Sequence, residues 1–293
     1  MTAEPTLRAL VAAELAEPVD PRVSAMAAAI AAKYGAAARA VLFYGSCLRE
    51  RQLEGLMLDF YLIVSDYREA YGKGWLAAAN RLIPPNVFPF EHEGLVAKYA
   101  VLSEADLARE CGEEARSVSV WARFAQPSRL VWVGDEAARE RVIGSVAQAA
   151  PTLFALTRPT LPHGERDDPL AVFRAGFALT YGAELRAERK QRSGSIVDTD
   201  AYRYARFGRA VLRDAAAPTS RGSWAWRQRK GKALTVVRIV KASGTFAGGI
   251  DYLAWKIGRH SGAEIEIKPW QRRWPLVAGL ILLPRLLKRG AIR

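Results

Sequence analysis

Apolar positions in this chain gather first into short unbroken runs and only later into helical periodicity. Residues 38–44 (ARAVLFY) and 57–64 (MLDFYLIV) are rich in β-branched and aromatic side chains, the composition of strands buried on both faces. A third run, Leu95 to Leu102 (LVAKYAVL), has the same character but is interrupted by Lys98. Ahead of them, residues 21–37 set alanines, Met26 and Ile30 in a helix-forming stretch that ends near Gly35, a C-cap residue. Tyr67 to Leu82 reads as helix, and Ile83 to Phe90 (IPPNVFPF) as a proline-broken loop.

The pattern changes after Ser103. SEAD fits a capping box that opens a helix, and Val118 to Phe124 is helix-like up to Gln126-Pro127. A short strand, Arg129 to Val133, leads through Gly134-Asp135 into a helix running towards Pro151. From Asp168 onward the chain reads as helical, with breaks around Gly194, at Pro218 to Gly222, near Gly244 and at Lys268-Pro269. The expected fold is α+β, in three parts. Residues 1–103 form a strand-bearing domain, 104–162 a winged-helix-like helical module, and 163–293 a helical, basic, membrane-associating region.

Charge sharpens this division. Residues 1–220 hold 27 Lys and Arg against 27 Asp and Glu, whereas the last 73 hold 16 against 3, so the whole net charge of +13 sits in the C-terminal quarter. Such a segment fits an anionic partner. Trp270 and Trp274 beside Arg272 and Arg273, followed by an apolar stretch and then Arg285, Lys288 and Arg289, have the make-up of an interfacial membrane segment. The longest apolar run, Trp274 to Pro284, has eleven residues against the roughly 20 needed to span a bilayer, so no transmembrane helix is expected. An acidic start without a basic n-region does not resemble a signal peptide, and two unpaired-looking cysteines, Cys47 and Cys111, point to a reducing compartment. The expected location is cytoplasmic, peripheral on the inner face of the cell membrane.

The candidate chemistry lies in the first two strands. One ends in Gly45-Ser46, and the other bears a lone carboxylate, Asp59, with twelve residues separating it from Ser46. A charge in an apolar strand needs compensation by a metal or a partner. Glycine lets backbone N–H groups approach phosphate oxygens, a serine hydroxyl can donate to the same anion, and a strand carboxylate can hold Mg²⁺ against nucleotide phosphates. Together these have the layout of a nucleotidyltransferase site of polymerase-β-like type. The second acid usual two positions on is Tyr61 here, leaving Asp66 and Glu184 as candidates. Lys98 either meets a phosphate or pairs with Asp59.

These segments resemble the mitochondrial translocator-assembly-and-maintenance type of phosphatidate cytidylyltransferase and its bacterial relatives. Phe43-Tyr44-Gly45-Ser46 is similar to the family's Tyr-Gly-Ser turn, and Met57-Leu58-Asp59-Phe60 to its Leu-Asp-Phe strand, which also lacks the second acid. Lys98 to Ser103 resembles its Lys-Tyr-Gly-Val-Ile-Ser strand, and Ala122 to Pro127 its Gly-Arg-Leu-Gln-Lys-Pro stretch. Tyr181 to Arg186 resembles a Tyr-Ser-Gly-Asp-Phe-Arg helix in which Glu184 stands for the acid. The likeness is good through residue 133, thinner to 192 and sparse beyond. The family's Trp-His-Ser-x-Asn segment is here Glu69 to Trp75, without the histidine.

The resemblance implies transfer of CMP from CTP to phosphatidic acid, giving CDP-diacylglycerol, the cardiolipin precursor, and pyrophosphate. In that chemistry Asp59 with Mg²⁺ acts at the α-phosphate, Gly45 and Ser46 hold the outer phosphates, Lys98 neutralises charge, and Glu184 completes the metal shell or orients a cation. Nucleic acid is not the expected partner. Two alternatives stand beside this reading: a nucleotidyltransferase acting on protein or RNA, and an inactive membrane-bound scaffold, suggested by Tyr61.

Overall fold

The computed structural model describes residues 4–50, 53–183, 192–214 and 224–245. They form an α+β fold around one five-stranded mixed sheet. Its strands are β1 (Ala38–Tyr44), β2 (Met57–Val64), β3 (Asn86–His92), β4 (Leu95–Ser103) and β5 (Ser128–Val133), in the order β3-β4-β2-β1-β5. β2 and β4 run parallel, and the other neighbours are antiparallel. The helices are α1 (Leu7–Leu15), α2 (Pro21–Ala32), α3 (Ser46–Glu50), α4 (Tyr67–Tyr71), α5 (Gly74–Leu82), α6 (Glu104–Cys111), α7 (Trp121–Phe124), α8 (Glu136–Val146), α9 (Ala149–Thr157), α10 (Pro169–Ala183), α11 (Arg192–Thr199), α12 (Ala201–Asp214) and α13 (Trp224–Thr245). Among the described residues no helix is long and apolar enough to cross a membrane.

Both faces of the sheet are covered, which is why β1, β2 and β4 read as continuous apolar runs. One face carries Val41, Phe43, Leu58, Phe60, Leu62, Tyr99 and Val101. Across it lies α2, whose buried Val23, Met26, Ala27, Ile30 and Ala31 recur at helical spacing; Asp20 caps the helix by accepting from the Arg22 N–H, with Pro21 in the first turn. The other face carries Ala40, Leu42, Tyr61, Ile63, Ala100 and Leu102 and meets α1 and the helices that follow β4. The expected helix cap is present, with Ser103 Oγ accepting from Asp106 N at 3.1 Å.

Three expectations need correction. Residues 86–92 are a strand, not a loop: Pro84 and Pro85 precede it, and β3 is an edge strand, the position in a sheet where a proline such as Pro89 is tolerated. Asn80 secures this strand, its amide donating to Val101 O at 2.9 Å and its carbonyl accepting from Asn86 N. The strand expected inside a 104–162 module is β5, which pairs with β1, and one apolar core runs from Leu7 to Val211, so the core has no break at 103 or 162. Helix α11 passes through Gly194, where a break was expected.

The N-terminal helix α1, not anticipated, is tied to α12 by a buried ion pair. Arg203 donates to both carboxylate oxygens of Glu14 at 2.7 and 2.9 Å and to Ala125 O at 2.9 Å, while its guanidinium stacks on Tyr204 and Phe207. Both side chains are about nine-tenths buried, so removing one partner strands a charge. Arg203→Met is expected to lower unfolding free energy by about 3–5 kcal/mol, and adding Glu14→Gln to restore part of it. Denaturant titration of the single and double variants measures both; a single-variant loss below about 1 kcal/mol would show that the pair does not hold α1.

Candidate active site

Register across the sheet sets one row of side chains at the same level on the same face. Pro89 on β3 pairs with Lys98 on β4, Lys98 with Asp59 on β2, Asp59 with Tyr44 on β1, and Tyr44 with Ser128 on β5. Two positions further along lie Leu42, Tyr61 and Ala100, buried beneath the helices. The row therefore stands where the apolar face gives way to a partly open edge.

At its centre Lys98 Nζ lies 2.9 Å from Asp59 Oδ1, with the side chains 28% and 21% exposed respectively. The pair forms because β2 and β4 run parallel in register, so two charges that each interrupt an apolar strand satisfy one another. The second carboxylate oxygen faces Gly45. This glycine has φ +100°, and a Cβ built there would stand 3.1 Å from Asp59 Oδ2. Glycine thus serves two needs at one position: a backbone turn that other residues resist, and clearance beside the carboxylate. Ser46 opens the short helix α3 directly after this turn, and the buried Cys47 thiol, 3.5 Å from Met57 O, fastens α3 to the start of β2.

Tyr44 stands beside Asp59 with its hydroxyl hydrogen-bonded to Arg123. Burial pushes the phenol well above its usual range, the negative charge of Asp59 and neighbouring Tyr61 push it further, and Arg123 opposes them. Tyr61 packs against Tyr44 and Phe124, each at 5.2 Å between ring centres. The position where a second acid is usual is therefore a core position, unsuited to an unpaired carboxylate.

Of the other two acids weighed, Asp66 is corrected by the structure. It lies seven positions beyond Asp59, past the far end of β2 and roughly 20 Å away at about 3.3 Å per residue. There it caps α4 by accepting from Arg68 N at 2.7 Å, and it pairs with Arg81 at 3.3 Å. Glu184 lies outside the described residues, as do Trp270, Arg272, Arg273, Trp274, Arg285, Lys288 and Arg289.

Three cations hold places that sequence reading did not assign, and one of them, Arg123, touches the row. Arg123 donates to Ser119 O as well as meeting Tyr44. From α13, Arg238 donates to Ser119 Oγ at 2.7 Å, Ser117 Oγ at 3.2 Å and Pro84 O at 2.9 Å, and Lys241 donates to the carbonyls of Ile83 and Pro85. Ser119 thus links the arginine that touches Tyr44 to the basic helix. The resemblance covered Arg123, but only its position; nothing local marked Arg238 off from its basic neighbours. Burial, with Arg238 close by, holds the Lys241 ammonium down at about 7.

Asp59 is the residue at the row that could contribute to holding a divalent cation such as Mg²⁺. Mg²⁺ takes one or two carboxylates and completes its octahedron with phosphate oxygens and water. Asp59 has one oxygen on Lys98 and the other beside the space that Gly45 keeps clear. Among the described residues no three His, Cys, Asp or Glu side chains, at the row or elsewhere, come together as a metal cluster. Set against known proteins, the chain matches no family model and none of the curated proteins.

Gly45→Ala is expected to cost about 1–3 kcal/mol of stability, from the left-handed backbone and the crowding of Oδ2, while distant Gly164→Ala, with open space around its Cβ, stays near neutral. Thermal unfolding of the two variants decides it. A second expectation concerns Lys241, whose proton affinity is lower in the fold than in the unfolded chain. The unfolded chain then binds more protons between about pH 7 and 10.5, so this group's contribution to stability rises with pH over that window and is lost as pH falls through about 7. Parent stability minus that of Lys241→Met, followed by denaturation from pH 7 to 10, should rise with pH; a constant value contradicts it.

Proposed function

We propose that this chain is a nucleotidyltransferase with a polymerase-β-like catalytic sheet. In this reading it transfers CMP from CTP to phosphatidic acid at an anionic membrane surface on the cytoplasmic side, releasing pyrophosphate and yielding CDP-diacylglycerol for phospholipid synthesis. The observation that carries the reading is the meeting of Gly45, Asp59 and Lys98: a cleared carboxylate oxygen and an ammonium group beside a glycine turn.

In the reaction a phosphatidate oxygen forms a bond to the α-phosphorus of CTP, and the bond from that phosphorus to the bridging oxygen of pyrophosphate breaks. The nucleophile is already anionic, so little base assistance is needed, and one strand carboxylate suffices. The harder problem is bringing two anions together. Lys98 compensates Asp59 before substrate arrives, and the same flexible ammonium, with three donors, reaches phosphate oxygens brought to that carboxylate. Gly45 and Ser46 leave backbone and hydroxyl donors for the outer phosphates. Asp59 with those phosphates would hold Mg²⁺, which supplies charge neutralisation at the reacting phosphorus. Arg123 fixes Tyr44 alongside and adds positive potential to the row.

One observation favours a second reading. The Asp59–Lys98 pair satisfies itself, as it would in a membrane-bound scaffold that keeps the fold without the chemistry.

Incubation with each of the four nucleoside triphosphates, Mg²⁺ and vesicles containing phosphatidic acid, followed by mass detection of lipid products, separates the two. CDP-diacylglycerol is expected with CTP, and Asp59→Asn should lower kcat on the order of 10²-fold or more while leaving vesicle binding unchanged. Vesicle binding with no nucleotide-lipid from any triphosphate would leave the scaffold reading.

A further inference from the structure

Helix α13 has two unlike faces. Its inner face is pinned to the rest of the molecule: Trp224 Nε1 donates to Leu156 O at 2.8 Å, Gly231 has no room for a side chain against Ala183 O, and Arg238 and Lys241 grip residues 83–85. Its outer face sets Trp226, Lys230, Ala233 and Val237 in line along the helix, with Arg229 and Lys232 beside them, all exposed. From Trp224 to Lys241 the helix carries six Lys and Arg and no acid, and Arg229, Lys230 and Lys232 make no ion pair among the described residues.

The segment that Arg238 and Lys241 grip directly follows α5, whose Trp75 and Leu82 are seven residues apart and so share a face. Four large apolar side chains are thereby left in water on two helices joined through residues 83–85: Trp75 at 58% exposure, Leu82 at 77%, Trp226 at 65% and Val237 at 42%. Singly such residues are ordinary; grouped with unpaired cations they define a surface.

We propose that the outer faces of α5 and α13 form a docking surface for an anionic lipid bilayer. The charge requires a negative partner, and the aliphatic side chains decide which. A leaflet of anionic lipid offers headgroups for Arg229, Lys230 and Lys232, an interfacial layer for the tryptophans, and hydrocarbon for Leu82 and Val237. Nucleic acid offers charge and a stacking partner for tryptophan, but nothing apolar for Leu82 and Val237 to enter. The inference adopts the membrane surface of the proposed function but not its chemistry. Docking there sets the bilayer against the helix that also sends Arg238 to Ser119, next to the arginine holding Tyr44.

The full chain can be tested with a local probe, because Cys47 and Cys111 are both buried. An environment-sensitive dye is placed at Val237→Cys, at Leu82→Cys and, as control, at Glu136→Cys on α8, which packs by β5 at the opposite edge of the sheet. With vesicles of equal parts phosphatidylcholine and phosphatidylglycerol, dyes at 237 and 82 should shift to the blue and lose quenching by iodide. The dye at 136 should not change, and vesicles of phosphatidylcholine alone should leave all three unshifted. Arg229→Gln/Lys230→Gln/Lys232→Gln should weaken binding to the mixed vesicles about a hundredfold at low salt, with its unfolding midpoint retained. Dyes at 237 and 82 that respond no more than the one at 136 overturn the proposal. So does shielding of 237 before vesicles are added, which would assign the face to residues 246–293 of the chain itself, or tighter binding to a single-stranded RNA than to vesicles. Asp59→Asn should give the same dye response as the parent; a parent chain that docks but forms no nucleotide-lipid would refute the catalytic reading alone.

Discussion

The parallel pairing of β2 with β4 is the constraint on which the rest of the structure depends. It sets two charged residues of opposite sign, each inside an apolar strand, at the same level and within 2.9 Å of one another. Neither would be tolerated alone, since an uncompensated charge at such a position costs several kcal/mol. Parallel strands also require a long crossover, and residues 65–94 supply it with α4, α5 and the edge strand β3. The same crossover carries Trp75 and Leu82 to the surface and presents residues 83–85 to α13, so the geometry of the ion pair and the seat of the basic helix have one origin.

Around that pair the molecule grades from dry to wet. Tyr61, Phe124 and the helices after β4 close one side, while Gly45 keeps the other side clear by lacking a Cβ. A cationic chain leads outward through Arg123, Ser119 and Arg238 to a helix without acids.

The strands β1, β2 and β4 were legible because burial on both faces leaves no polar alternation to confuse. Gly45, Asp59 and Lys98 were legible for the related reason that each departs from what a buried strand allows. The strand β3 was hidden by Pro84, Pro85 and Pro89, whose meaning depends on where the sheet ends, and β5 was assigned to the wrong neighbours because a six-residue strand does not announce its partner. Asp66 looked like a ligand until its place beyond the far end of β2 made it a helix cap.

By itself the amino-acid sequence determined which segments must be buried, that an acid and a lysine inside them demand compensation, and that the positive charge lies in the C-terminal quarter. Only the tertiary structure decided who compensates whom. Arg203 meets Glu14 across 189 positions, Arg238 meets Ser119 across 119, and Lys98 meets Asp59 across a parallel register. The physical reason is that burial is a property of a residue and its local pattern, whereas pairing is a property of two chain segments brought together by the packing of everything between them.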